Sequence, residues 1–141
     1  ADPGADVVLW AHENNVDVIP LVGPSSIMLA LMASGLNGQS FAFHGYLPKD
    51  KAERIKKFKT LEQHSQRDRQ TQIFMETPYR NDALLQDILE NGRPETLLCL
   101  AVDLTLPEQW IKTRTVEQWK KSQIPSLNKR PALFLIQACK A

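Results

Sequence analysis

Val16 to Gly35, VDVIPLVGPSSIMLALMASG, is the stretch whose reading decides the fold. It opens with an apolar, β-branched run over Val16–Val22, the composition of a short buried strand. Gly23-Pro24 turns the chain, and Ser25–Ser34 predicts a helix with apolar residues on nearly every face. Gly23 is expected as the N-cap and Pro24 at the first helical position, where its missing N–H would have gone unpaired anyway. Gly35 is the expected C-cap. The amides of Ser25 and Ser26 would then point, without intrahelical partners, off the positive end of the helix. A strand that runs through a glycine turn into a helix N-terminus is a common ligand site in α/β proteins. Taken alone, the same pattern also fits an ordinary buried strand, turn and helix.

The chain around it has 141 residues, enough for one ordinary domain with its own core. With 43% hydrophobic and 23% charged residues, it has the composition of a globular protein rather than a disordered one. A net charge of +1 says nothing by itself about nucleic acid, so any basic patch must be local. The longest apolar run, Ile27 to Ala33, falls short of the ~18 residues of a membrane span. Cys99 and Cys139 lie in apolar, strand-like segments without C-x-x-C spacing or a nearby histidine. They are read as buried reduced thiols of a cytoplasmic protein. His12 and His64 stand at no metal-ligand spacing, and no metal is expected.

Strands and helices alternate along the chain. Asp2-Pro3-Gly4 reads as a turn with Asp2 capping a helix that ends at Asn14-Asn15. The polar stretch Leu36–Ser40 is taken as a domain boundary, which divides the chain into residues 1–38 and 39–141. Phe41 to Tyr46 alternates as a strand, closed by Leu47-Pro48. Asp50 caps a helix with an apolar stripe of Ala52, Ile55, Phe58 and Leu61, and residues 64–71 are expected as a polar loop. Further strands are expected at Gln72–Glu76, Thr96–Val102, Gln109–Thr113 and Ala132–Ala138. A helix lies between Pro78 and Gly92, and Thr115 with Gln118 forms a capping box on a short one. The expected class is α/β, a mixed sheet flanked by helices.

The segments DPGADVV, VIPLVGPSSIMLALMASGL, FAFHGYLP and QIFMETPYR, in this order, resemble the tetrapyrrole methylase superfamily. Within it they look most like the small-subunit rRNA (cytidine ribose 2′-O) methyltransferases. The resemblance implies the C-terminal α/β domain of that fold plus the last helix-strand-helix of its N-terminal domain. The chain starts ADPGAD without a methionine and holds no G-x-G-x-G-D type segment. It is therefore expected to be the C-terminal part of a longer, often dimeric enzyme. The implied cofactor is S-adenosylmethionine, held in a cleft between two domains. The acceptor would be RNA, or alternatively a corrin or porphyrin carbon. A competing expectation is that the isolated 141 residues form a folded fragment with an incomplete cofactor site, which does not turn over.

By the same resemblance, Gly23, Pro24, Ser25 and Ser26 face the cofactor, with Gly23 allowing an approach that a side chain would crowd. Phe74 and Met75 cover its adenosine, and Ala101 is small enough for adenine to approach. Glu76, Pro78, Tyr79 and Arg80 match an E-x-P-x-R segment on the substrate side, although Glu76 and Arg80 equally suit a structural ion pair. Glu76 and Asp103 are the carboxylates that could serve as a general base. Two departures weaken the transfer of an RNA substrate: Leu106 stands where the family has lysine, and Asn128-Lys129-Arg130-Pro131 replaces a G-E turn. Lys56 and Lys57, in a helix that also carries Lys49, Lys51, Arg54 and Lys59, could hold RNA phosphates or simply face water. His44 either lines the cleft or packs within its strand, and packing is the favoured reading.

Overall fold

A computed structural model describes residues 4–138. Asp2, Pro3 and Cys139, which carried sequence expectations, lie outside the described residues. The elements follow in the order α1 (Ala5–Glu13), α2 (Ser26–Ser34), β1 (Phe41–Tyr46), α3 (Lys51–Asp68), β2 (Thr71–Met75) and α4 (Asn81–Asn91). They continue with β3 (Leu97–Val102), β4 (Trp110–Thr115), α5 (Val116–Lys120) and β5 (Ala132–Gln137).

The strands make one mixed sheet in the order β1-β2-β5-β3-β4. The β1–β2 pair is parallel, and every other pair is antiparallel. Inserting β5 between β2 and β3 buries both, which explains the unbroken apolar run of β3 and the burial of β2 from Thr71 to Phe74, polar residues included. Strand alternation then divides the core in two. On one face Ile73, Cys99, Ala101, Leu133 and Leu135 meet Ala30 and Leu31 of α2. On the other, Phe74, Leu98, Leu100, Phe134 and Ile136 meet Phe58 and Leu61 of α3, Leu84 and Ile88 of α4, and Trp119 of α5. Trp119 donates its indole N–H to the Leu98 carbonyl at 2.8 Å, so its polar edge is satisfied inside the core. The α/β class, with a mixed sheet between helices, is thus as the sequence predicts.

Local signals fare well where they are chemical. Asp50 accepts from the Glu53 amide at 2.9 Å and caps α3. Thr115 and Gln118 form the expected reciprocal capping box of α5. Gly35 ends α2 at φ +72°, the left-handed conformation that glycine adopts without penalty. The N-terminus of α2 is a correction: Ser25, not Gly23, is the N-cap, with its hydroxyl accepting from the Met28 amide at 3.5 Å. A serine oxygen can satisfy an orphan amide, which glycine cannot. The expected loop at 64–71 is also corrected, since α3 runs to Asp68. Ser65 is buried there and accepts from the Ala138 amide at 2.9 Å, a contact 73 residues away in sequence.

The expected strand Val16–Val22 does not form. Its backbone pairs with no strand among the described residues, and Ile19, Leu21 and Val22 are largely exposed, Leu21 at 91%. The β-branched composition is present, but the neighbouring strand that would complete its hydrogen bonds is not. Helix α1 likewise has no buried residue. By contrast, α2 and the boundary stretch are fastened to the sheet. The Thr113 hydroxyl donates to the Ser34 carbonyl at 2.6 Å, and the Asn37 amide donates to Gln137 at 2.8 Å. Among the described residues, α2 and the stretch after it therefore pack on the sheet, whereas α1 and residues 16–25 do not bury against it. No helix among the described residues is long and apolar enough to cross a membrane.

Candidate active-site cleft

A cleft of about 390 Å³ opens at the carboxyl ends of β1, β2 and β3, beside the start of the antiparallel β5. This edge of an α/β sheet is where ligands usually bind, and the volume is that of a small-molecule site. Ser26 contributes the N-terminal end of α2, and Tyr46 the end of β1. Met75, Glu76 and Pro78 come from the β2–α4 junction. Ala101, Asp103, Leu104 and Leu106 come from the end of β3 and the loop after it, and Pro131, Ala132 and Leu133 from the start of β5. The lining is mostly apolar, with two carboxylates.

Each carboxylate is held by an arginine. Glu76 Oε1 accepts from Arg80 Nη2 at 2.6 Å and from the Thr77 amide at 2.7 Å. The Glu76 side chain is 1% exposed, and its Oε2 has no hydrogen-bond partner among the described residues. Burial pushes this carboxyl up, but the Arg80 hydrogen bond and the Thr77 amide outweigh it and hold the group below the usual carboxylate range. Glu76 is therefore ionised near neutrality and a weak proton acceptor. Asp103 Oδ2 accepts from Arg130 Nε at 2.6 Å, and the residue sits at φ +51°, outside the ordinary right-handed regions.

The sequence-predicted residues divide clearly in space. Ser26, Met75, Glu76, Pro78, Ala101 and Asp103 converge on the cleft from separate elements. Phe74 does not. Strand alternation sends it to the opposite face, fully buried, with its ring stacked on Phe134 at 6.0 Å between centroids. Gly23, Pro24 and Ser25 are exposed just before α2 and do not line the cleft. A Cβ at Gly23 would meet nothing within 4 Å among this chain's own described atoms. Tyr79 is 73% exposed, and Arg80 reaches the site only through Glu76. Lys56 and Lys57 lie on the exposed face of α3, apart from the cleft lining. His44 is half-buried in β1 and bonded to Gln72 Oε1 at 2.6 Å, which is the packed reading.

Tyr46, Leu104, Leu106 and Pro131–Leu133 were missed by sequence reasoning. The strand ends at Tyr46 and Ala132 are visible in the alternation, but their shared edge follows from the antiparallel insertion of β5, which no local pattern encodes. Among the described residues no group of three or more histidine, cysteine, aspartate or glutamate side chains could hold a metal ion.

This sheet, with its helices on both faces, has a fold found in solved structures. It superposes on the crystal structure of the methyltransferase CobJ with a TM-score of 0.55 and 19% identity, over 98% of this chain and 62% of that one. At the level of sequence the chain is similar to proteins named Ribosomal RNA small subunit methyltransferase I. The Vibrio cholerae protein is 38% identical over 105 residues, 74% of this chain and 35% of the relative. The Buchnera aphidicola protein is 29% identical over 142 aligned residues, 99% of this chain and 48% of the relative. The chain thus spans between about a third and a half of the curated relatives it matches. No protein-family model matches it. The resemblance to the tetrapyrrole methylases, and to their rRNA branch, is borne out by these relatives.

Proposed function

We propose that this chain is the C-terminal part of a cytoplasmic, homodimeric methyltransferase that uses S-adenosylmethionine to methylate a ribose 2′-hydroxyl of small-subunit rRNA. The observation that carries this reading is the convergence of Ser26, Met75, Glu76, Pro78, Ala101 and Asp103 on one cleft at the carboxyl edge of the sheet. The cleft fits such a cofactor in size and in its small, apolar lining at Ala101 and Leu133. When bound, the sulfonium supplies an electrophilic methyl group, which removes the need for a metal or a covalent enzyme intermediate.

The protein's own residues then have a positioning task. Met75, Ala101 and Leu133 would hold the flat apolar part of the cofactor, and Ser26 would present the N-terminal end of α2 to its polar atoms. Glu76, fixed and ionised, would accept a hydrogen bond through Oε2 rather than serve as the base. The exposed apolar residues of α1 and of the segment 16–22, with Met28 and Met32 on the outer face of α2, would be covered by a preceding α/β domain that completes the cleft. That reading assigns residues 1–38 to the first domain by chain order, although α2 packs on the second.

RNA is favoured over a tetrapyrrole as the acceptor because the named relatives are rRNA enzymes and Lys56 and Lys57 present an exposed basic pair. The test is transfer of labelled methyl from S-adenosylmethionine by the full-length protein to small-subunit rRNA that lacks the modification. Incorporation on RNA that weakens on charge reversal of Lys56 and Lys57 supports the reading. Incorporation into a uroporphyrinogen but not RNA would replace it.

A further inference from the structure

The loop between β3 and β4, residues 103–109, forms one wall of the cleft through Asp103, Leu104 and Leu106. Its backbone is in an unfavourable form. Asp103 at φ +51° and the β-branched Thr105 at φ +69° both occupy the left-handed region without being glycine. Short local bonds shape it: Leu106 N donates to the Asp103 carbonyl at 2.9 Å, and Gln109 N to the Leu106 carbonyl at 3.0 Å. Such a loop holds its shape only if the surroundings fix both of its ends.

One side chain reaches both ends. Arg130 donates from Nε to Asp103 Oδ2 at 2.6 Å and from Nη2 to the Glu108 carbonyl at 3.1 Å. Its own backbone is anchored in turn. The Arg130 carbonyl accepts from Asn81 Nδ2 at 2.7 Å, its amide bonds the Leu127 carbonyl at 3.1 Å, and the neighbouring Lys129 amide bonds the Pro78 carbonyl at 3.0 Å. The turn that carries Arg130 therefore joins the Pro78 wall of the cleft to the Asp103–Leu106 wall. We propose that Arg130 is a positioning residue that braces the 103–109 loop across the cleft and thereby sets the affinity for the cofactor. The effect on affinity rests on the cofactor reading given above, whereas the brace itself does not.

The experiment compares R130M and R130K with wild type. Titration of S-adenosylhomocysteine into the full-length protein is expected to show binding weakened about tenfold in R130M, the scale of a lost charge-assisted hydrogen bond at a ligand wall. The KM for S-adenosylmethionine should rise in step, while kcat at saturation stays within about twofold, the signature of lost uniform binding. R130K, which can still reach one partner, should recover part of the affinity. Hydrogen exchange at the Leu106 and Gln109 amides of the 141-residue chain should speed in R130M while that of β3 does not. Unchanged affinity, a loss that merely tracks a fall in Tm, or unchanged exchange in the loop would overturn the proposal. Full-length wild type that binds no S-adenosylhomocysteine would sink the cofactor reading alone, since loop exchange still tests the brace.

Discussion

Arg54 is one half of a buried ion pair between α3 and α4, so its removal should cost the fold measurably. Its side chain is 8% exposed and Asp87's is 5%, and the two meet at 2.8 Å through Nε and 2.5 Å through Nη2. Nη1 also donates to the Lys49 carbonyl at 2.8 Å, which ties the turn after β1 to α3 and α4. Replacing Arg54 with methionine keeps the stem's packing but strands the Asp87 carboxylate and that carbonyl. Breaking a buried pair from one side costs ~3–5 kcal/mol. Lys51 lies 3.5 Å from the other Asp87 oxygen but is 63% exposed, and it places the expected loss near the lower end, about 3 kcal/mol. For a chain of this size that corresponds to a fall in Tm of roughly 6–12 °C. Urea unfolding should show the midpoint drop with an unchanged slope. The double variant R54M/D87L, which removes both charges, should return to within about 1 kcal/mol of wild type. An R54M loss below about 1 kcal/mol would refute the assignment of this pair as a buried, mutually dependent unit.

Three further outcomes are expected. In Gly92→Ala the new Cβ would meet the Ile88 carbonyl at 2.8 Å, Val116 Cγ2 at 3.2 Å and Phe58 Cζ at 3.3 Å, and the crowding should destabilise by ~1–3 kcal/mol in urea titration. Because the Glu76 carboxyl is held below its ordinary value of 4.5 in the folded state, the stability it contributes is complete above that pH. This contribution is lost as pH falls through the lower folded value, so Glu76→Gln should flatten the acid limb of a stability–pH curve and leave its neutral region sloped as in wild type. Ala101→Leu, which grows from a 1%-exposed position into the cleft, should reduce S-adenosylhomocysteine binding to the full-length protein by more than tenfold with a smaller change in unfolding midpoint.

How much of this was legible depended on the range of the interaction that decides each feature. Caps and turns are local chemistry, so Asp50, Thr115 with Gln118, and Gly35 could be read directly. The strands of the sheet declare themselves by alternation or by unbroken apolar runs. Val16–Val22 has the same composition and yet forms no strand, because strand formation needs a neighbour and composition does not supply one. The last turns of α3 looked like a loop because their stabilising contacts, Ser65 with the Ala138 amide and Gln66 with Arg93, are tertiary. Arg54 was counted with the basic residues of α3, although it is buried against an aspartate 33 residues away. At the cleft, Ser26, Met75, Glu76, Ala101 and Asp103 come together because each sits next to a helix start or a strand end, while strand alternation puts Phe74 on the face opposite Met75. Arg130 stood in a turn noted only for departing from the family pattern, and its reach to Asp103 and Glu108 is visible only in three dimensions.

The central claim is that a methyl-donor cleft is half built by these residues and completed by a preceding domain. Calorimetric titration of S-adenosylmethionine into the full-length protein and into the 141-residue chain tests it most directly. The account predicts saturable binding to the full-length protein and none of comparable strength to the 141 residues, where the faces of α1, segment 16–22 and α2 lie open. Absence of binding to the full-length protein would contradict the methyltransferase reading, and equally tight binding to the 141 residues would contradict the two-domain cleft.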